Sequence, residues 1–94
     1  MNFERINKNI ISYLVQYYHA KPTDITPYTR LWRTQSGHTY CLKAPDTITR
    51  GSLYAVYHRD KQGNKWNFYQ NPENHWLTIE NECKKFIDKI EKMS

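Results

Sequence analysis

The chain has 94 residues and a formal net charge of +5, with 24% charged and 15% aromatic residues. This length predicts a single α+β domain over residues 1–94, whose one small core would accommodate a deep, water-free catalytic cleft only with difficulty. No apolar window of membrane-spanning length occurs and the N-terminus lacks the pattern of a secretory signal, so a cytoplasmic protein that does not insert into a membrane is expected.

The first predicted element is an amphipathic helix over residues 3–18. Its apolar residues recur every three or four positions and form one stripe: Phe3, Ile6, Ile10, Leu14 and Tyr17. Pro22 and Pro27 follow the helix. Because proline interrupts regular hydrogen bonding, residues 21–27 are predicted to form a loop.

Two β-hairpins are predicted next, each closed by a three-residue turn with glycine in third place. The first joins residues 28–34 to 38–44 through a turn that ends at Gly37, and the second joins 52–60 to 64–70 through a turn that ends at Gly63. Glycine adopts the left-handed backbone conformation that such a turn needs, so its position sets the register of each hairpin.

In the second hairpin this register pairs Arg59 with Lys65, His58 with Trp66 and Tyr57 with Asn67. The face predicted to be buried contains Tyr54, Val56, His58, Trp66 and Phe68. The face predicted to contact water contains Ala55, Tyr57, Arg59, Lys65, Asn67 and Tyr69.

In the first hairpin the same reasoning places Trp32 opposite Tyr40, a favourable cross-strand pair that we expect on the buried face. A two-residue turn at Ser36-Gly37 would invert this assignment. After residue 71 the periodicity predicts a final helix to about Lys92, with Thr78 as a candidate cap. Its stripe contains Trp76, Ile79, Cys83, Phe86 or Ile87, and Ile90.

The predicted order is α-β-β-β-β-α, an α+β fold with one four-stranded antiparallel sheet. Both helices are amphipathic, and one face of the second hairpin is polar. The N-terminal and C-terminal helices should therefore pack on the same face of the sheet and leave the other face open.

The excess positive charge lies in the middle of the chain. Residues 28–69 contain seven Lys or Arg, two Asp and five Tyr, whereas the charges of the remaining residues sum to zero. Cations interleaved with aromatic rings favour nucleic acid or a nucleoprotein as the partner. The predicted binding residues are Arg50, Tyr57, Arg59, Lys61, Lys65, Asn67 and Tyr69.

Two other functions fit the same composition. A phage- or plasmid-type inhibitor could bind a host protein through this surface, because Tyr, Trp and Arg are enriched at interface hot spots. A metal-independent ribonuclease toxin would need an acid and a base, for which His58 and His75 are candidates. A sheet edge could also pair between copies to form a homodimer.

No metal site or cofactor is expected. The four His show no ligand spacing, and Cys41 and Cys83 are too far apart in sequence for a zinc motif. Both cysteines are predicted to be free thiols, with Cys83 in the core.

Overall fold

The computed structural model describes residues 3–25, 29–43, 55–62, 65–70 and 76–93. The first helix, α1, spans Phe3–Tyr18, as predicted. Ile6, Ile10 and Leu14 are fully buried, but Tyr17 is 60% exposed, and Tyr18 packs against the core in its place. The prediction for Tyr17 was wrong because the buried stripe continues four residues after Leu14, at Tyr18, and not three residues after it.

Immediately after α1 the chain reverses direction. His19 adopts a left-handed backbone conformation with φ of 53°, and the Ala20 N–H donates a hydrogen bond to the Leu14 carbonyl at 3.2 Å. A strand, β1, then spans Lys21–Ile25 where the sequence predicted a loop. Pro22 is compatible with this strand because β1 lies at the edge of the sheet, where a missing N–H breaks no central ladder.

The described residues form one antiparallel sheet with the strand order β1-β2-β3-β4-β5. The four strands that follow β1 are β2 (Thr29–Arg33), β3 (Thr39–Lys43), β4 (Ala55–Arg59) and β5 (Lys65–Gln70). The predicted α+β class is confirmed, with the two hairpins between an N-terminal and a C-terminal helix. The edge strand β1 is an addition to the four predicted strands.

The first hairpin has the predicted register. Trp32 pairs with Tyr40, and Tyr40 is fully buried. Gly37 has a φ of 98°, in the region that favours glycine, and the Thr34 N–H donates to the His38 carbonyl at 2.8 Å. The three-residue turn is therefore confirmed over the two-residue alternative.

The second hairpin departs from the predicted register one step beyond its turn. Arg59 pairs with Lys65 as predicted, but His58 then pairs with Asn67 and Tyr57 with Phe68. The shift between His58 and Arg59 is a β-bulge, which puts one extra residue into β5. The predicted pairs His58–Trp66 and Tyr57–Asn67 are wrong for this reason.

The second helix, α2, spans Trp76–Lys92, so Thr78 lies inside the helix and does not precede it as a cap. Ile87 is fully buried and Phe86 only partly, which resolves the alternative left by the sequence. Both cysteines are free and Cys83 is buried, as predicted. Among the described residues, no helix has both the length and the apolar character needed to cross a membrane.

One hydrophobic cluster joins both helices to one face of the sheet. The sheet contributes Tyr40, Leu42 and Val56, each at most 1% exposed. We call the sheet face that packs against the helices the covered face, and the opposite face the open face. The expected arrangement of both helices on one side of the sheet is confirmed, and it determines which side chains of each strand reach solvent.

Candidate nucleic-acid interface

Strand β4 shows the two faces of the sheet in alternation. Val56 and His58 are fully buried against the helices, whereas Tyr57 is 38% exposed and Arg59 is exposed. Because side chains alternate along a strand, Tyr57 and Arg59 both lie on the open face. The structure therefore brings these two predicted binding residues together.

Cations align across the sheet at the position of Arg59. The register pairs Lys21 with Arg33, Arg33 with Thr39, Thr39 with Arg59, and Arg59 with Lys65. We call these five positions the cation row. It crosses all five strands, and with neighbouring strands about 4.8 Å apart it extends over about 19 Å.

Three cations of this row reach solvent. Lys21, Arg33 and Arg59 are exposed, and the Arg33 Nε–H donates a long hydrogen bond of 3.5 Å to Thr39 Oγ1. Thr39 is 8% exposed, so it lies low between the two arginines. Two ion pairs between described side chains, Lys84–Glu80 and Lys85–Glu82, lie within α2.

A second row lies beside the cation row on the open face. Leu31, Cys41 and Tyr57 are paired in register, and Phe68 is the partner of Tyr57 on β5. Leu31 and Cys41 are partly buried. We call the positions of Leu31, Cys41 and Tyr57 the apolar row. On β2, β3 and β4 it is two residues along the strand from the cation row, or about 7 Å.

The remaining predicted site residues fall into two groups. Lys61 is exposed at the second turn, where its stem lies against Gly37 of the first turn; a Cβ at Gly37 would be 3.2 Å from Lys61 Cγ. The register places Lys65 in the cation row but aligns Asn67 with buried His58 and Tyr69 with buried Val56. The side chains of Lys65, Asn67 and Tyr69, and all of Arg50, lie outside the described residues.

Sequence reasoning missed Lys21 and Arg33 as members of the site. The first hairpin's register did place Arg33 on the face that proves to be open, but joining the two hairpins required the β3–β4 pairing, which the intervening residues 44–54 do not reveal. Lys21 was missed because Pro22 and Pro27 led to the prediction of a loop.

The covered face contains a polar cluster beneath the first turn. His38 Nδ1 and His58 Nε2 are 2.7 Å apart, and the Tyr40 hydroxyl donates to Glu91 at 2.7 Å. Burial, with a smaller contribution from His38, lowers the pKa of His58 to about 4. A fully buried, neutral His58 cannot reach a substrate, so this geometry does not support its role in a ribonuclease; His75 lies outside the described residues.

The open face therefore combines one line of cations with a line of apolar and aromatic positions. Such a surface can bind an extended polyanion that has flat, apolar groups along one side. A scan of protein-family models, a search of curated proteins and a search of solved structures each found no match to this chain.

Proposed function

We propose that this chain is a small non-enzymatic binding protein that contacts nucleic acid, alone or within a nucleoprotein, through the open face of its sheet. The observation that best supports this proposal is the cation row, with Lys21, Arg33 and Arg59 exposed in one line. Cations in a line bind a phosphate backbone because they displace its condensed counterions.

Tyr57 supplies the second component of the site. Its ring is 38% exposed and lies on the same face as Arg59, two positions away on β4. A base can stack on such a ring whatever its identity, so the surface is suited to binding with little sequence preference.

The distribution of charge supports the same partner. Residues 28–69 carry seven cations and two acids, while the charges of the rest of the chain sum to zero. The described ion pairs, Lys84–Glu80 and Lys85–Glu82, are on α2, away from the sheet. An excess of cations in the segment that contains β2, β3 and β4 favours and steers an anionic ligand.

The test is the salt dependence of binding to a fluorescently labelled oligonucleotide, measured by anisotropy. We expect the logarithm of affinity to fall linearly with the logarithm of salt concentration, with a slope of about −3 to −4, as for four to six neutralised phosphates at roughly −0.7 each. The double variant Arg59→Glu/Lys65→Glu should abolish binding while the melting temperature stays nearly unchanged.

The matched control is Lys8→Glu/Lys85→Glu, which makes the same change of charge at exposed positions on the two helices. This control should retain most of the affinity, because its substitutions are on the other side of the sheet. Undetectable or salt-insensitive binding by the wild-type chain, or equal loss in both double variants, would count against the proposal.

A further inference from the structure

The open face has one line of charge, with an uncharged line beside it. The cation row contains Lys21, Arg33 and Arg59, whereas the apolar row contains Leu31, Cys41 and Tyr57. Because the charge lies on one side only, this arrangement should distinguish single-stranded from double-stranded nucleic acid.

A duplex has two phosphate backbones, separated by a groove about 6 Å or about 12 Å wide. If one backbone followed the cation row, a second at the nearer spacing would lie over the apolar row, about 7 Å away. There it would meet Leu31, Cys41 and Tyr57, and at the β1 edge the register places Asp24 beside Leu31. None of Leu31, Cys41 and Tyr57 carries a positive charge that would neutralise this second backbone.

A single strand fits the two rows without this conflict. Its phosphates lie along one side and its unpaired bases along the other. We infer that the ligand is a single-stranded nucleic acid whose backbone crosses the five strands along the cation row, from Lys21 to Lys65, with its bases over the apolar row and stacked on Tyr57. This inference rests on the proposed function and specifies its ligand.

The length of the row sets the size of the binding site. The row extends over about 19 Å, and a stacked strand rises about 3.4 Å per nucleotide, so about six nucleotides span it. Affinity should therefore increase with oligonucleotide length up to about six nucleotides and then increase only slowly.

The first experiment compares three labelled or competing probes at the same low salt: oligothymidylates of about two to twelve nucleotides, a mixed-sequence duplex of about twelve base pairs, and polyglutamate of equal charge. We expect the longer single strands to bind at least about tenfold more tightly than the duplex, and polyglutamate to compete poorly because it has no bases to stack.

These outcomes separate the inference from the function on which it rests. Duplex binding as tight as single-strand binding would overturn the inference and leave the proposed function standing. Polyglutamate binding as tight as that of the oligothymidylate would overturn it in favour of an acidic protein partner. If neither nucleic acid bound, the proposed function itself would fail.

The second experiment tests each row with its own variant. Lys21→Gln and Arg33→Gln should each weaken single-strand binding and reduce the magnitude of the salt slope by about 0.7, because each removes one phosphate contact. The exposed residue Lys8 provides the control, since Lys8→Gln should leave the slope unchanged. An unchanged slope in both row variants would overturn the path along the row.

Tyr57→Ala should weaken binding by about tenfold with the salt slope unchanged, because a stacked ring contributes contact and not charge. Tyr57→Phe keeps the ring and should bind nearly as well as wild type. Circular dichroism and urea unfolding verify that each variant is folded. Equal affinity of Tyr57→Ala and wild type would show that the bases do not stack on Tyr57, and would contradict the inference.

Discussion

The two faces of the sheet differ in burial, and consecutive residues of strand β4 show both. Val56 and His58 are fully buried beneath the helices, while Tyr57 and Arg59 between and beside them contact solvent. The covered face contributes burial and hydrogen bonds to stability, and we propose that the open face contributes charge to binding. Substitutions on one face should therefore change stability, and substitutions on the other should change only affinity.

The largest effect on stability should come from the covered face, as a dependence of the free energy of unfolding on pH. The pKa of His58 is about 4 in the folded chain, against 6.5 for an ordinary histidine. Above pH 6.5 the residue is neutral in both states and its contribution to stability is complete. As the pH falls from 6.5 towards 4, only the unfolded chain takes up the proton, and stability is lost.

The expected loss by pH 4 is about 3 kcal/mol, since each unit of pKa shift corresponds to about 1.4 kcal/mol. Urea unfolding at a series of pH values measures it. His58→Gln should remove this component while the carboxylates titrate as before. His19→Asn, at an exposed position, is the control and should keep the wild-type profile. Parallel profiles for wild type and His58→Gln would contradict the prediction.

The groups around His58 explain why the shift is downward. Burial is its largest cause, and His38 adds a smaller effect in the same direction. Asp60 and Glu91 act in the opposite direction, because a negative charge favours the imidazolium. Glu91 is already the acceptor for Tyr40 and Ser36, at 2.7 Å each. The Glu91 carboxylate thus links α2 to the sheet and to the first turn through hydrogen bonds.

A smaller effect is expected when one hydroxyl is removed from each face. Tyr40 is fully buried, and burial together with Glu91 raises its pKa, so it remains a donor to the carboxylate at neutral pH. Tyr40→Phe should lower the free energy of unfolding by about 2 kcal/mol, as for other hydrogen bonds to a charged group. The paired variant on the open face, Tyr57→Phe, should change it by less than about 0.5 kcal/mol, because Tyr57 is 38% exposed and water can replace a contact that its hydroxyl loses.

Urea unfolding of the two variants at pH 7 makes this comparison directly. Because each substitution deletes a single hydroxyl from a tyrosine, differences in apolar volume do not contribute. A loss for Tyr57→Phe equal to that for Tyr40→Phe would show that the hydroxyl on the open face is as important to folding as the one on the covered face.

How far the sequence predicts this arrangement differs between the hairpins. Gly37 was sufficient to set the first register, since its turn is regular and Trp32 lies opposite Tyr40 as predicted. The same reasoning failed in the second hairpin one step from Arg59. A β-bulge changes register without interrupting the alternation of residue types from which register is inferred, so the local sequence did not reveal it.

The helices were predictable, but their contacts with the sheet were not. Spacing alone located α1 and the buried positions of α2, because a helical stripe is local in sequence. Glu91 contacts Ser36 and Tyr40, each of which precedes it by more than 50 positions. The cation row likewise requires residues from five strands. Both features can be predicted only when the register across the whole sheet is known.

The smallest expected effect on stability belongs to the cation row. Arg33 and Arg59 are exposed, and Arg33 lies opposite Lys21, where like charges repel. Arg33→Gln/Arg59→Gln should therefore change the free energy of unfolding by less than about 0.5 kcal/mol. At low ionic strength the variant should be slightly the more stable protein, and added salt should remove the difference, because it screens exposed charges beyond a Debye length of about 10 Å at 0.1 M.

Urea unfolding at two salt concentrations, alongside oligonucleotide binding, measures both quantities on the same variant. Loss of affinity without loss of stability is the result expected of cations positioned for a partner. A fall of more than about 1 kcal/mol would instead mean that the arginine stems pack over Thr39 as part of the fold. The cation row would then contribute to folding stability. The expectation that substitutions on the open face change only affinity would be wrong for this row.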